Sequence, residues 1–348
     1  MSDRPAEELI DRHEAFLSCG PADRPVLGMW SGGYFPAEQF PRGTSGWADG
    51  RLLAPADVSL PEFAPDYENL YRLHRDIDDD FFFVGSAYWG VPWLEAILGC
   101  PVRAGATTCW AEPCLSGLAD VPRTIGNLDD NGWLQCLVRF TEELVALSAG
   151  RFPVCPPLLR GPGDAACAMR GAMHLVPEFI DAPGDVERLL EHCAAVREEV
   201  VRRVSRVVPA WNGTHAAGGY PSRLWSRRTV AYHQEDSLAL LSPDLFRRFL
   251  LPLHRRACRF AEVNFIHLHS ACLWPVDILL ADGLYDVLEI NIDHEGAGPP
   301  MRELIPALQR IQSAGKPLLL WGEIGRQDWR LIEECLSPVG LSIQPIVA

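Results

Sequence analysis

The sequence predicts an α/β chain built on parallel strands. Through the last third of the chain, short apolar runs alternate with helical stretches, and the connections between them are short. The length of 348 residues, with 48% hydrophobic content, exceeds what one compact domain usually holds unless that domain is a barrel, so one barrel or two ordinary domains both fit.

Taken in order, the N-terminus (MSDRPAEELIDRHEAFL) reads as a charged amphipathic helix, and Pro25 to Met29 and Asp80 to Val84 as short buried strands. Thr107 to Arg123 is irregular. Asp185 to Val208 predicts a long amphipathic helix rich in Glu and Arg, and Ser242-Pro243-Asp244 opens another that runs to Val263. The apolar run around Phe265 is followed by a helical stretch from Trp274 to Gly283 and a second apolar run, Asp286 to Ile292. A helix from Met301 to Ala314 then stops at Gly315, ahead of a third run, Pro317 to Trp321. This β-α-β-α-β order implies parallel strands with right-handed crossovers, in a barrel or an open doubly wound sheet. No repeat, low-complexity tract or flexible linker marks a domain boundary.

Composition narrows the function classes. A net charge of −15 and a pI near 5.1 repel phosphate backbones and anionic lipid, so neither nucleic acid nor a membrane surface is an expected partner. No apolar run reaches the length of a membrane helix and the N-terminus does not read as a signal peptide, which leads to a cytoplasmic expectation. Eleven scattered cysteines without a CxxC pair favour reduced thiols over a disulfide framework. The chain has no GxxxxGK[ST], no dinucleotide fingerprint at Gly32-Gly33 and no G-x-S-x-G elbow, so no nucleotide cofactor is expected.

The chemistry concentrates in Phe265-Ile266-His267-Leu268-His269. With a side-chain period of 2, His267 and His269 project from the same side of a strand. Glu289 lies on the following strand, where Asn291 and Asp293 repeat its parity. Two imidazoles and a carboxylate make a ligand set for a divalent metal, zinc or alternatively iron. The same residues could equally be hydrogen-bonded members of a polar core.

Further candidates surround this set. His233 and Asp236, in Tyr232-His233-Gln234-Glu235-Asp236, could serve as acid/base groups, or could cap a helix and carry surface charge. Glu323 directly follows the run ending at Gly322, where a carboxylate can be catalytic or can open the next loop. Trp30 and Tyr34 in the Met29–Pro36 loop, with Tyr88 and Trp89 after the second apparent strand, combine aromatic walls with glycine and suit a substrate pocket or ordinary packing.

Several segments, in order, resemble the uroporphyrinogen decarboxylase and corrinoid methyltransferase superfamily: Pro25-Val26 leading into the Met29–Pro36 loop, Arg160-Gly161-Pro162 with Arg170-Gly171, Leu241-Ser242-Pro243, the His267-to-Gly283 stretch, Pro317 to Gly322, and Ser337-Pro338-Val339-Gly340-Leu341. The resemblance implies a single (β/α)8 TIM-type barrel over residues 25–348, preceded by an N-terminal helical extension, residues 1–24. It also implies a site at the C-terminal ends of the strands. The family's decarboxylases hold substrate carboxylates with arginines in the N-terminal loop. Here that loop reads Trp30-Ser31-Gly32-Gly33-Tyr34, without a cationic clamp. The methyltransferase branch places zinc on a His-x-Cys strand with a later cysteine. In this chain His267 matches, as does Glu289 for the glutamate that some members carry on the next strand, while His269 stands at the cysteine position and Val339 at the later one, so the thiolate-rich site is altered either to a nitrogen and oxygen set or to no metal at all.

The expected function is therefore a metal-dependent methyltransferase-like enzyme acting on a small substrate, with corrinoid arriving on a separate carrier protein and a homodimer as a compatible assembly. A cofactor-free decarboxylase of a porphyrinogen or other acid, using Arg160, Arg223 or Asp236, is the alternative. A non-catalytic ligand-binding barrel is the third reading.

Overall fold

The computed structural model describes residues 6–30, 32–218, 223–293 and 296–346, so Ser31 of the glycine-rich loop lies outside the described residues. Six strands form the central sheet: β1 (Val26–Leu27), β2 (Val230–Gln234), β3 (Val263–His269), β4 (Val287–Ile292), β5 (Leu318–Gly322) and β6 (Leu341–Pro345), in the spatial order β1-β6-β5-β4-β3-β2. Every neighbouring pair is parallel.

Five helices matter to the argument: α1 (Ala6–Leu17), α2 (Pro183–Ser205), α3 (Pro275–Asp282), α4 (Met301–Ser313) and α5 (Arg326–Cys335). The last three are the crossovers between β3 and β4, β4 and β5, and β5 and β6, as the strand–helix alternation predicts. Gly283 and Gly315 end the first two of them with φ of +71° and +68°, a backbone state that glycine adopts without a Cβ penalty.

The helix expected from Ser242 to Val263 is instead segmented into Pro243–Leu245, a π-turn at Phe246–Leu250, Leu251–Ala257 and a 3-10 turn at Cys258–Phe260. Pro252 is the reason. Its ring excludes the carbonyl four residues back, and widening the preceding turn relieves the conflict. The stretch Asp80–Val84 forms no strand. It is held instead by the Asp80 amide donating to the Leu27 carbonyl (2.8 Å) and by a parallel bridge between Gly85 and Val154. Two small antiparallel sheets, Leu52–Leu53 with Val102–Arg103 and Trp110–Ala111, and His215–Ala217 with Leu224–Ser226, lie outside the parallel one.

Strand alternation divides the core in two. Ile266, Leu268, Leu288, Ile290, Leu318, Leu320, Leu341 and Ile343 face the helices and join the large apolar core. Val26, Val230, Val263, Phe265, Val287 and Leu319 share a second cluster with Phe16 of α1. Most of these are the first residues of their strands, so α1 covers the N-terminal strand ends.

Asp80 ties α1 to this edge. His13 Nε2 donates to the Asp80 carbonyl (2.9 Å), Arg24 forms two hydrogen bonds to its carboxylate (2.5 and 2.8 Å), and the Leu27 amide donates to the same group (2.8 Å). Burial would raise the Asp80 carboxyl, but Arg24 and the Leu27 amide outweigh it and hold the carboxyl below its ordinary value.

All eleven cysteines are free thiols. No helix among the described residues is long and apolar enough to cross a membrane.

Asp80→Ala removes the acceptor shared by the half-exposed Arg24 and the Leu27 amide and should lower stability by about 1–3 kcal/mol, measured by urea unfolding at pH 7. Burial also pushes the His13 and His74 imidazoles from 6.5 down to about 4. A neutral ring is therefore favoured in the folded chain, and this stability is complete above pH 6.5 and lost as pH falls toward about 4. The urea midpoint should drop over that interval, and less steeply in His13→Gln; equal slopes would show that His13 does not contribute.

Candidate functional site

The side of the sheet facing away from the crossover helices changes character along the strands. At the N-terminal ends it is apolar. Toward the C-terminal ends Gln234, His267, His269, Glu289 and Asn291 replace the hydrocarbon, and pairing of Gln234 with His267 and of His267 with Glu289 sets them side by side. Each strand had to carry its polar residue at the same parity for this layer to form.

The two imidazoles are locked from behind. His267 Nδ1 lies 2.5 Å from Glu289 Oε2, and His269 Nδ1 lies 2.6 Å from Asp293 Oδ1. Carboxylates only accept, so each ring donates from Nδ1 to its carboxylate and turns its Nε2 atom to the far side. Those Nε2 atoms face each other at 3.3 Å, and Asp236 Oδ1 lies 3.6 Å from His269 Nε2. Among the described residues, Asp236, His267 and His269 can thus offer one ligand atom each to a common point, their donor atoms lying within 4.8 Å of one another. Glu289, expected as the third ligand, stands behind the His267 ring instead. It is fully buried, and its Oε1 has no hydrogen-bond partner.

Asp293 is held by Ser270 Oγ (2.9 Å), the Ala271 amide (3.0 Å) and Asn291 Nδ2 (3.0 Å). These donors and His269 outweigh burial and keep the Asp293 carboxyl below its ordinary value. Burial would lower His269, but the bond to Asp293 and the field of Asp236 carry it upward instead.

Asp236 reaches the pair because its loop is clamped. Asp164 accepts from the Asp236 and Ser237 amides (3.1 and 2.6 Å), while Glu235 accepts from the Asp164 amide (2.7 Å) and from Ser237 Oγ (2.8 Å). Glu235 is held in turn by His254 Nε2 (3.3 Å), whose other nitrogen accepts from the Tyr285 hydroxyl (2.9 Å). Gly161 belongs to this clamp, since a Cβ there would overlap the Glu235 carboxyl. The Arg160-Gly161-Pro162 signature therefore has a packing reason. Burial, with Glu235 and Asp236 beside it, pushes the Asp164 carboxyl well above its usual range.

Over the histidines lies a cavity of about 220 Å³ walled by Tyr34, Trp89, Trp93 and Trp321, with Arg160 and Glu95 also on its lining. Tyr34 stacks on Trp321 at 5.7 Å, Trp89 Nε1 donates to Gln39 (3.2 Å), and Arg160 pairs with the buried Glu95 at 3.5 Å.

Other expected residues lie elsewhere. Tyr88 is buried in the helix-side core against Phe40 and Phe63, and Trp30 is buried under the Arg223 guanidinium. Arg223 is itself fully buried and donates to the Phe82 and Met29 carbonyls, 3.6 Å from Asp79, with no part in the cavity. His233 points to the opposite side of β2, bonded to Asn264 (2.9 Å). Glu323 is exposed beyond β5. Sequence reading did not single out Trp321, Glu95 or Asp164 for the site. Trp321 shares the parity of the inward-facing Leu319, a usable signal, whereas Glu95 and Asp164 sit on helices whose inward face no motif marks.

No family model matches the sequence, and no curated protein is similar to it in sequence. Among solved structures, a methyltransferase from Methanosarcina mazei is similar over 97% of this chain and 92% of its own, with a TM-score of 0.62 and 14% identity. That likeness establishes a shared fold.

Asp164→Ala should release the loop carrying Asp236. Hydrogen exchange at the Asp236 and Ser237 amides should accelerate at least tenfold with the bulk of the sheet unchanged; unaltered exchange would show that Asp164 does not hold the loop.

Proposed function

We propose that this chain is a metal-dependent methyltransferase-like enzyme, its site at the C-terminal mouth of a (β/α)8 barrel formed by residues 25–348. The barrel reading is supported by the two extended segments that extend the sheet beyond β1, Asp80–Gly85 beside Leu27 and Pro153–Cys155 beside Gly85. With the six strands they make eight.

One observation carries the metal: two carboxylate-backed imidazoles bring their Nε2 atoms within 3.3 Å of one another, with the Asp236 carboxylate beside them. A proton on one ring would hold the two nitrogens together as an N–H···N bond, and a divalent cation would take the place of that proton. Two nitrogen ligands at about 2.0–2.1 Å from a zinc ion, at a tetrahedral angle, stand about 3.3 Å apart. Asp236 would be the third ligand, and the side open to the aromatic cavity would admit substrate. Bound there, zinc would act as a Lewis acid that lowers the pKa of an acceptor thiol.

The protein's own groups supply the rest. Glu289 and Asp293 fix ring tautomer and orientation, the arrangement in which a carboxylate behind a ligating histidine raises its basicity. Tyr34, Trp89 and Trp321 exclude water from the reacting atoms, and Arg160 with Glu95 offers a polar handle to the substrate. The methyl group would be presented by a corrinoid on a separate carrier protein.

Protein purified without chelator should contain about one zinc, and His267→Ala and His269→Ala should contain none, by elemental analysis. Glu289→Gln should bind zinc about 10- to 100-fold more weakly in competition with a chromophoric chelator. Thiol-dependent demethylation of methylcobalamin, followed by absorbance, should require the metal. Metal-free wild-type protein that nonetheless demethylates, or metal content indifferent to both histidine variants, would sink the assignment.

A further inference from the structure

A second cavity, of about 190 Å³, is lined by consecutive residues of the edge strand β2 and by α2, and shares no lining residue with the cavity over the histidines. Its walls are largely apolar, among them Val154, Val201, Val208, Val230 and Phe260. Among the described residues the titratable groups facing it are Arg197, His215, Tyr232 and His233, and no carboxylate lines it.

Arg197, on α2, is 6% exposed. Its Nε donates to the Arg160 carbonyl (3.2 Å) and its Nη2 to the Tyr232 carbonyl (3.4 Å). A guanidinium carries five N–H groups in a fixed fork, and Nη1 finds no acceptor among the described residues. Two peptide carbonyls orient the group without neutralising it. None of the described carboxylates forms an ion pair with it, Glu235 and Glu198 acting only at longer range. Buried Arg223, by contrast, has Asp79 at 3.6 Å. A buried cation with no carboxylate in contact is an expensive arrangement, and here it borders a cavity able to admit one. His233 does not share the positive charge: burial and the field of Arg197 pull it to about 3, and its ring is bonded to Asn264.

We propose that this cavity binds a small apolar monocarboxylate, its carboxylate paired with Arg197 and its hydrocarbon body packed on Val201, Val208, Val230 and Phe260. The pairing would be charge-assisted and shielded from water, and the walls would select against polar bodies. The observation is independent of the histidine pair.

Isovalerate is the probe, with isovaleramide as its neutral isostere, titrated calorimetrically into the full-length protein. Isovalerate should bind at least tenfold more tightly than the amide. Arg197→Met should abolish that preference, and Val201→Trp, which fills the cavity and leaves Arg197 in place, should abolish binding even if the first variant fails to fold. His267→Ala should bind isovalerate as wild type does. Absence of binding to wild type, equal affinity for acid and amide, or binding kept in Val201→Trp but lost in His267→Ala would overturn the proposal.

Discussion

Parallel pairing of β3 between β2 and β4 is the constraint on which the site depends. Its register puts Gln234, His267 and Glu289 in one row and His269 beside Asn291 in the next. A slip of one residue would turn every one of these side chains into the helix-side core, where leucine and isoleucine now pack. Hydrophobic burial on both faces therefore enforces the alignment of the polar groups. The polar layer is held by the same apolar residues that stabilise the sheet.

That layer is expensive in isolation and is stabilised by pairing. Each imidazole is backed by a carboxylate, and Asp293 is in turn held by a serine hydroxyl, an amide nitrogen and an asparagine. The loop carrying Asp236 is fixed by reciprocal bonds between Asp164 and the Glu235–Ser237 segment, so that an exposed carboxylate is delivered by buried ones. Preorganisation of this kind removes much of the ordering entropy that a ligand would otherwise have to overcome.

The two buried arginines illustrate the difference between structural and receptive charge. Arg223 lies between Trp30 and Phe81, near Asp79, with carbonyl acceptors on both terminal nitrogens. Its field also helps lower His13 and His74, linking the charge balance at the strand edge to acid sensitivity. Arg197 spans two carbonyls and faces an apolar space with a terminal nitrogen left over. The surroundings of a guanidinium, more than its depth, decide which role it takes.

Local periodicity determined much of this protein in advance. The alternation of apolar runs and helices placed β3, β4 and β5 with their crossovers, and the two-residue spacing of His267 and His269 put both on one side of a strand, because strand geometry is set by neighbouring residues alone. Parity also placed Glu289 and Asp293 beside them. Only tertiary structure decided that Glu289 buttresses a ring while Asp236, from a loop about 30 residues upstream of His267, reaches the common point. It also sent Tyr88, Trp30 and Arg223 into packing and made Trp321 a wall. A period states which way a side chain faces; distances between segments far apart in sequence depend on how their apolar surfaces pack.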